Sequence, residues 1–141
     1  MTAAQRRDVI ELFVPGKLTN PLNGALSRAH WTIKSDWAYG WKLATWNAIH
    51  DQADLSLVGD PAVPKRVTFT AQVGRLWDDD NLPAGLKPCR DALMGRALPG
   101  NLVRYRVIHS DAPDSGHQFE YAQVVNRKER GVRITITPVA P

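Results

Sequence analysis

The sequence contains one cysteine, Cys89, among its 141 residues. A lone cysteine excludes an internal disulfide and any zinc site built from several cysteines, so a reducing compartment is expected. No apolar run approaches the roughly 18 residues that a membrane-spanning helix needs. The first fifteen residues contain acids and lack a long apolar stretch, so no secretory signal is expected. These absences favour a cytoplasmic protein without membrane contact.

Several catalytic signatures are also missing. The chain has no glycine-rich phosphate loop, no G-x-S-x-G elbow and no histidine pair at zinc-ligand spacing. A nucleotide cofactor is therefore not expected. The four histidines are scattered, which is typical of surface or capping residues.

The composition is that of one folded domain spanning residues 1–141. Hydrophobic residues make up 43% and charged residues 23%, ordinary values for a globular protein of this length. Eighteen basic residues against fourteen acidic residues give a net charge of +4. This excess is compatible with a polyanionic partner such as nucleic acid but does not require one.

Hydrophobic periodicity predicts five strands and two main helices. The first helix begins at a Ser35 N-cap and ends before Asp54, and the second is capped by Asn81 and closed by Gly95. The order β, α, β, α, β, β, β predicts an α+β domain with its helices on one face of a sheet. The predicted strands cover Val9–Val14, Arg66–Arg75, Val103–Ile108, His117–Val125 and Val132–Thr137.

The segment most suggestive of chemistry is the acidic run from Asp78 to Asp80. In an extended chain Asp78 and Asp80 face one side, about 7 Å apart, and Asp79 faces the other. Two converging carboxylates repel each other unless a cation lies between them, and a hard divalent ion such as Mg²⁺ takes oxygen ligands. The alternative is that these acids are solvated and cap the helix beginning near Asn81.

A third acid would complete a metal site. Asp111 and Asp114 follow the predicted strand Val103–Ile108, and acids at a strand end can join a site on the neighbouring strand. The same residues also fit a surface turn built from Asp, Pro and Ser. Spacing alone does not separate the two interpretations.

Basic and aromatic residues interleave in the N-terminal half, a pattern that suits contact with a nucleic-acid backbone and stacking on bases. Trp37 and Trp41 recur at helical spacing and are expected in the core, whereas Trp31 is the better candidate for exposure. On the second helix, Lys87 and Arg90 either contact phosphate or coat the helix surface. The interleaved residues are Lys17, Arg28, His30, Trp31, Lys34, Trp37, Trp41, Lys42 and Trp46.

The combination resembles one family. Asp78-Asp79-Asp80-Asn81-Leu82, followed by Leu86-Lys87 and Arg90-Asp91-Ala92-Leu93, resembles the D-x-D-N-L…K…D-A-L signature of RusA-like Holliday junction resolvases. Pro21-Leu22-Asn23 and Arg28-Ala29-His30-Trp31 look like the basic loop before that family's first helix. Glu120-Tyr121-Ala122-Gln123 resembles the late strand of phage and prophage members. The similarity is spread over Leu12 to Thr137, and only the acidic motif and its helix are specific.

The resemblance implies a small mixed β-sheet with two main helices on one face. It further implies an endodeoxyribonuclease that requires Mg²⁺, with Mn²⁺ as a substitute. Such an enzyme acts as a homodimer on four-way junctions or other branched DNA, in recombination, repair or phage DNA processing. The expected location is the cytoplasm of a bacterium or a phage-infected host.

The family's site residues carry over as follows. Asp78 and Asp80 match the two metal-binding acids, and Lys87 matches the essential helix lysine, one helical turn later than in the best-known pattern. Asp111 is the first choice for the third catalytic and metal-binding acid, and Asp114 is the substitute. The residues implied for DNA binding are Lys17, Arg28, His30, Trp31, Lys34 and Arg90.

Two departures favour an alternative function. Ala112 replaces the second aspartate of the family's acidic pair, and Pro88 interrupts the helix that carries Lys87. A non-enzymatic DNA-binding protein that keeps the fold without cleavage is therefore the second hypothesis. A general nuclease for replication or packaging intermediates is the third.

Overall fold

The computed structural model describes residues 9–22, 24–53, 59–95 and 106–139. The elements are four strands, three α-helices and a single 3₁₀ turn at Asp79–Asn81. The strands are β1 (Ile10–Pro15), β2 (Lys65–Val73), β3 (Gln118–Val125) and β4 (Gly131–Pro138), and the helices are α1 (Gly24–Ser27), α2 (Trp31–Gln52) and α3 (Leu82–Leu93).

The four strands form one mixed sheet in the order β1-β4-β2-β3. β4 is antiparallel to both β1 and β2, while β2 and β3 are parallel. It follows that β1, β2 and β3 run in one direction and β4 in the other. The carboxyl ends of three strands therefore lie at the same edge of the sheet, and the predicted α+β class with a small mixed sheet is confirmed.

One face of the sheet forms the core with α2 and α3. On β2, Val67, Phe69 and Ala71 are fully buried, and the residues between them are exposed or half-buried. Register continues this face across the sheet, because Phe69 lies opposite Ile134 on β4 and opposite Tyr121 on β3. Truncation of a ring such as that of Phe69 costs about 3–5 kcal/mol in typical cores.

The N-cap of helix α2 lies five residues before the predicted cap, Ser35. His30 is the N-cap instead, and its Nδ1 accepts a hydrogen bond of 3.3 Å from the Thr32 N–H. The helix ends at Gln52, whose side-chain amide donates to the Phe13 carbonyl and accepts from the Phe13 N–H, each at 2.8 Å. Gln52 thereby satisfies backbone groups on the edge strand β1.

Helix α3 agrees with the sequence prediction, since it starts after Asn81 and ends at Leu93. Gly95 follows with φ +71°, a left-handed conformation that glycine adopts without strain. The helix continues through Pro88. Cys89 lies on its buried side, where burial raises the thiol pKa to about 12, so this cysteine is not a nucleophile.

The predicted strand Val103–Ile108 is wrong in its described part. Residues 103–105 lie outside the described residues, and residues 106–108 are not in a strand. The N–H groups of Val107 and Ile108 both donate to the Leu93 carbonyl, at 2.7 and 3.2 Å. These donors satisfy the end of α3 rather than a strand of the sheet.

The segment that resembles the family's basic loop, before α2, contains the short helix α1. Asn23 lies outside the described residues. Within the described ranges, no helix has the length and apolar character to cross a membrane.

Candidate active site at the carboxyl ends of the parallel strands

Three loops meet where β1, β2 and β3 end. The Gly16 N–H, after β1, donates to the Arg130 carbonyl at 3.1 Å, and Arg130 directly precedes β4. The Asn126 N–H, after β3, donates to the Val73 carbonyl at 2.9 Å. Arg127 Nε then donates to the Gly74 carbonyl at 3.1 Å. These bonds fix the loops to one another at the edge where sheets with parallel strands commonly bind ligands.

The acidic segment follows β2 at this edge. Asp78 is extended, with φ −62° and ψ 130°, but Asp79 to Asn81 form a 3₁₀ turn that leads into α3. The extended chain assumed from the sequence is therefore wrong beyond Asp78, because strand alternation does not continue through a helical turn. The orientation of Asp80 relative to Asp78 follows from the turn instead.

The capping alternative is not supported by hydrogen bonds. Asn81 occupies the N-cap position of α3, and Asp78 that of the 3₁₀ turn, but neither makes a side-chain cap hydrogen bond. The side chains of Asp78 and Asp80 are exposed and have no hydrogen-bond or ion-pair partner among the residues that the structure describes. Their charges are favourable at the start of α3 but satisfy no particular donor there.

Asp79 differs from its neighbours because Gln123 on β3 holds it. Gln123 Nε2 donates to Asp79 Oδ1 at 2.8 Å and to the Trp77 carbonyl at 2.8 Å. The Trp77 N–H donates back to Gln123 Oε1, also at 2.8 Å. The acidic segment is therefore fastened to the edge strand by one amide side chain.

Trp77 also fastens the acidic segment to α3. A Cβ at Gly85 would lie 2.9 Å from Trp77 Cη2, closer than real Cβ contacts, so only glycine leaves room for the indole ring. The glycine is needed here for space. Sequence and packing together fix the turn between β2 and α3.

Lys87 projects from α3 onto a neighbouring acid. Its Nζ donates to both carboxylate oxygens of Asp91, at 3.1 and 3.0 Å. Asp91 is buried, whereas the Lys87 side chain is 54% exposed. The pair has the i, i+4 spacing that stabilises helices, and it holds the ammonium group in one place.

Arg90 lies inside a polar cluster between α3 and β3. Its Nη1 donates to the Tyr121 hydroxyl at 2.7 Å, and its guanidinium lies 5.7 Å from the centre of the Phe119 ring. Its Nε lies 3.1 Å from Asp111 Oδ2, an ion pair in which Nε itself makes no hydrogen bond. Burial raises the pKa of Tyr121, an effect that the charge of Arg90 opposes.

Asp111 is thus brought to α3 through Arg90, while Asp114 is exposed in the loop beyond it. Within the described ranges, no three or more His, Cys, Asp or Glu side chains group so that they could hold a metal ion. The expected convergence of Asp78 and Asp80 with Asp111 or Asp114 is therefore not seen in this arrangement.

The N-terminal basic residues have several environments. His30 caps α2, and Lys34 Nζ donates to the Ser27 carbonyl at 3.1 Å, while Arg28 is exposed. Trp31 is 69% exposed, as predicted. The prediction of a core position is confirmed for Trp41, which is buried, and Trp37 packs half-buried against the same core.

Lys17 lies elsewhere, in a cavity of about 310 Å³ at the carboxyl ends of the strands. Arg75 and Arg130 line the same cavity. Sequence reasoning missed these two arginines, and it quoted Asp91 and Gln123 only as part of the family resemblance, without a role. Only Asp91 carried a local signal, its i, i+4 spacing from Lys87, because the others depend on which strands are neighbours.

No family model matches the chain, and no curated protein matches it in sequence. The resemblance to RusA-like resolvases therefore depends on the motif residues themselves.

Proposed function

We propose that this protein is a Mg²⁺-dependent, structure-specific endodeoxyribonuclease of the RusA-like type. Its substrate is a four-way junction or other branched DNA, in recombination, repair or phage DNA processing, and its reaction is phosphodiester hydrolysis. The observation that carries the proposal is the pair of exposed, unpartnered carboxylates of Asp78 and Asp80, fixed beside loops rich in unpaired cations.

The donor set at the acidic turn fits a magnesium ion. Asp78 and Asp80 supply exposed carboxylate oxygens within three residues of each other. Mg²⁺ typically takes one or two carboxylates and completes its shell with waters and substrate phosphate, so a third protein acid is not required. When bound, the ion neutralises charge on the phosphodiester and activates water.

The chain's own residues supply the remaining functions. Cationic side chains in the loops after β1, β2 and β3 hold backbone phosphates of the DNA. These contacts position the DNA strand over the acidic turn. Lys87, oriented by Asp91, stabilises the charge that develops on the phosphate or on the leaving oxygen. Asp111 serves as a third acid only if it leaves Arg90, and Asp114 is the exposed substitute in the same loop.

The active form is proposed to be a homodimer. A four-way junction is roughly two-fold symmetric, and paired cuts need two sites related by a two-fold axis. One chain supplies one acidic turn, so two copies match the substrate. Sedimentation of the protein with and without a junction tests this stoichiometry.

The test of the proposed activity is cleavage of a synthetic four-way junction in Mg²⁺. Asp78→Asn and Asp80→Asn are expected to lower the cleavage rate by at least about a hundredfold while leaving junction binding in EDTA within about threefold. Asp51→Asn is the matched control, since Asp51 is an exposed acid at the end of α2. Normal cleavage by Asp80→Asn would show that the acidic turn is not catalytic.

A second function is favoured by one specific observation. Lys87 and Asp111 are both engaged in ion pairs, and within the described part of the chain no group of three metal-capable side chains forms. A DNA-binding protein without cleavage activity would have this arrangement. Junction binding with no Mg²⁺-dependent products, in protein that binds with wild-type affinity in EDTA, would establish this alternative.

A further inference from the structure

The cavity at the carboxyl edge of the sheet is lined by three cations from separate parts of the chain. Lys17 follows β1, Arg75 follows β2, and Arg130 precedes β4 in the loop after β3. The volume is about 310 Å³, enough for a phosphate group with waters. The rest of the lining is Leu18, Gln72, Val73, Gly74 and Trp77.

The positive charge of this cavity is not compensated by the protein. No acidic residue lines it, and Glu129, next to Arg130 in sequence, instead lies 3.8 Å from Arg133. The side chains of Lys17, Arg75 and Arg130 have no hydrogen-bond or ion-pair partner among the described residues. Three like charges around one cavity repel each other, and a bound anion removes that repulsion.

Arg130 is held in the cavity wall by packing against backbone. A Cβ at Gly74 would lie 2.7 Å from Arg130 Cζ and 3.1 Å from its Nε, so the guanidinium occupies the space that any larger residue would fill. The Nε atom is buried and has no hydrogen-bond partner. A buried donor without a partner is unfavourable, and a ligand that accepts a hydrogen bond from it removes this penalty.

We propose that this cavity is a phosphate-binding subsite for a nucleic-acid strand. Arg75 precedes Asp78 by three residues, so the two lie within roughly 10 Å along the chain. The phosphate held in the cavity and the phosphodiester at the acidic turn therefore belong to one nucleic-acid strand and are a short distance apart along that strand. The choice of nucleic acid rests on the proposed function, whereas phosphate binding itself does not.

Two substitutions separate the cavity from general surface charge. Arg130→Gln removes the guanidinium, and Gly74→Ala keeps every charge but displaces the guanidinium from the cavity wall. Gly74 has no left-handed φ, and the displaced atoms are the end of a flexible side chain, so the alanine variant is expected to fold. Lys128→Gln is the matched control, since Lys128 is exposed in the same loop and does not line the cavity.

The experiment measures binding of a fluorescent single-stranded oligonucleotide in EDTA, over a series of NaCl concentrations. Both Arg130→Gln and Gly74→Ala are expected to weaken binding about tenfold. Arg130→Gln also lowers the slope of log affinity against log salt by roughly one. Lys128→Gln changes affinity less than threefold. The affinities of the same strand with a 5′-hydroxyl and with a 5′-phosphate are then compared. Tighter binding of the 5′-phosphate strand indicates a terminal phosphate as the ligand, and equal binding indicates an internal phosphate.

The outcomes are separable from those of the cleavage assay. Wild-type affinity in Arg130→Gln, or equal losses in Arg130→Gln and Lys128→Gln, would overturn the subsite. Wild-type affinity in Gly74→Ala, with circular dichroism confirming its fold, would also overturn it. Binding that depends on Arg130 and Gly74 without any cleavage would retain the subsite and refute the nuclease. Inorganic phosphate is expected to compete with the oligonucleotide for wild-type protein more strongly than chloride does at equal ionic strength. Arg130→Gln should show no such difference between the two anions.

Discussion

The polar groups at the two ends of β2 have different environments. At the amino end, Lys65 Nζ donates to the Asp60 and Val63 carbonyls at 2.8 and 3.1 Å, and the Lys65 N–H donates to His117 Nδ1 at 3.1 Å. His117 Nε2 lies 3.0 Å from His109 Nδ1. At the carboxyl end, by contrast, the side chains of Arg75, Asp78 and Asp80 are exposed and have no hydrogen-bond or ion-pair partner among the described residues.

The neutral tautomer of His117, at the amino end, follows from its backbone contact. Because His117 Nδ1 accepts from the Lys65 N–H, the proton of neutral His117 is on Nε2. His109 Nδ1 lies 3.0 Å from this Nε2 and 3.1 Å from the Pro61 carbonyl oxygen. A metal bound at Nε2 would require that proton on Nδ1, where the Lys65 N–H points. The hydrogen bond from the Lys65 N–H therefore disfavours a metal ion at His117 Nε2.

This contrast separates polar groups that stabilise the fold from polar groups that are available to a ligand. Buried polar groups that satisfy one another maintain the fold, and removing one leaves its partner unpaired. Exposed charges that converge without partners contribute little to stability and remain available to a ligand. Substitutions at the two ends of β2 should therefore have opposite consequences for folding and for DNA.

The largest effect on stability is expected at the amino end. His117→Ala leaves the Lys65 N–H without its acceptor, which should lower the free energy of unfolding by about 1–3 kcal/mol. Chemical denaturation measures this change. His109→Ala is the comparison, and because His109 is exposed, a smaller loss of about 0.5–1.5 kcal/mol is expected. Equal stability of wild type and His117→Ala would contradict the account of this end.

A second prediction concerns pH. Burial lowers the pKa of His117 from its ordinary 6.5, and the charges of His109 and Lys65 lower it further, whereas a hydrogen bond to the Pro61 carbonyl opposes the shift. The unfolded chain therefore takes up a proton at His117 first as the pH falls. The stabilising contribution is complete above pH 6.5 and is lost as the pH falls through the folded-state pKa.

Urea midpoints measured from neutral to mildly acidic pH test that linkage. Wild type should lose stability below pH 6.5, and His117→Gln should show a flatter profile over the same range. A wild-type stability that stays constant or rises on acidification would show that His117 is not held neutral by its surroundings.

The smallest effect on stability is expected at the carboxyl end. The double variant Asp78→Asn, Asp80→Asn should change the free energy of unfolding by less than about 0.5 kcal/mol, since neither carboxylate has a partner to lose. Thermal denaturation gives the value. A loss above about 1 kcal/mol would favour the alternative in which these acids cap the helix, and would remove the sharpest contrast between the two ends.

The sequence predicted the elements whose signal is local. Alternation placed β2 and β4 within two residues of their ends, and the Asn81–Leu93 pattern placed α3. The start of α2 was missed because histidine is an uncommon N-cap, and Ser35, the residue that suits the role better, lies inside the helix.

The site was less predictable because it depends on the order of the strands. Lys17, Arg75 and Arg130 are far apart in sequence and meet only because β1, β2 and β3 run in the same direction. The 3₁₀ turn at Asp79 replaced the expected extended chain, and its anchor Gln123 comes from a strand 44 residues later. Local periodicity in the sequence predicts neither the order of the strands nor the 3₁₀ turn.

The most direct test of the acidic turn is a titration of the isotope-labelled protein with Mn²⁺, followed by amide NMR spectra. The paramagnetic ion broadens resonances near its binding site, so the amides of Asp78 to Leu82 should broaden first. The same amides should stay sharp in Asp78→Asn, Asp80→Asn. Broadening that begins at the His109–His117 pair, or that leaves Asp78 to Leu82 sharp, would contradict a divalent-cation site at this end of the sheet.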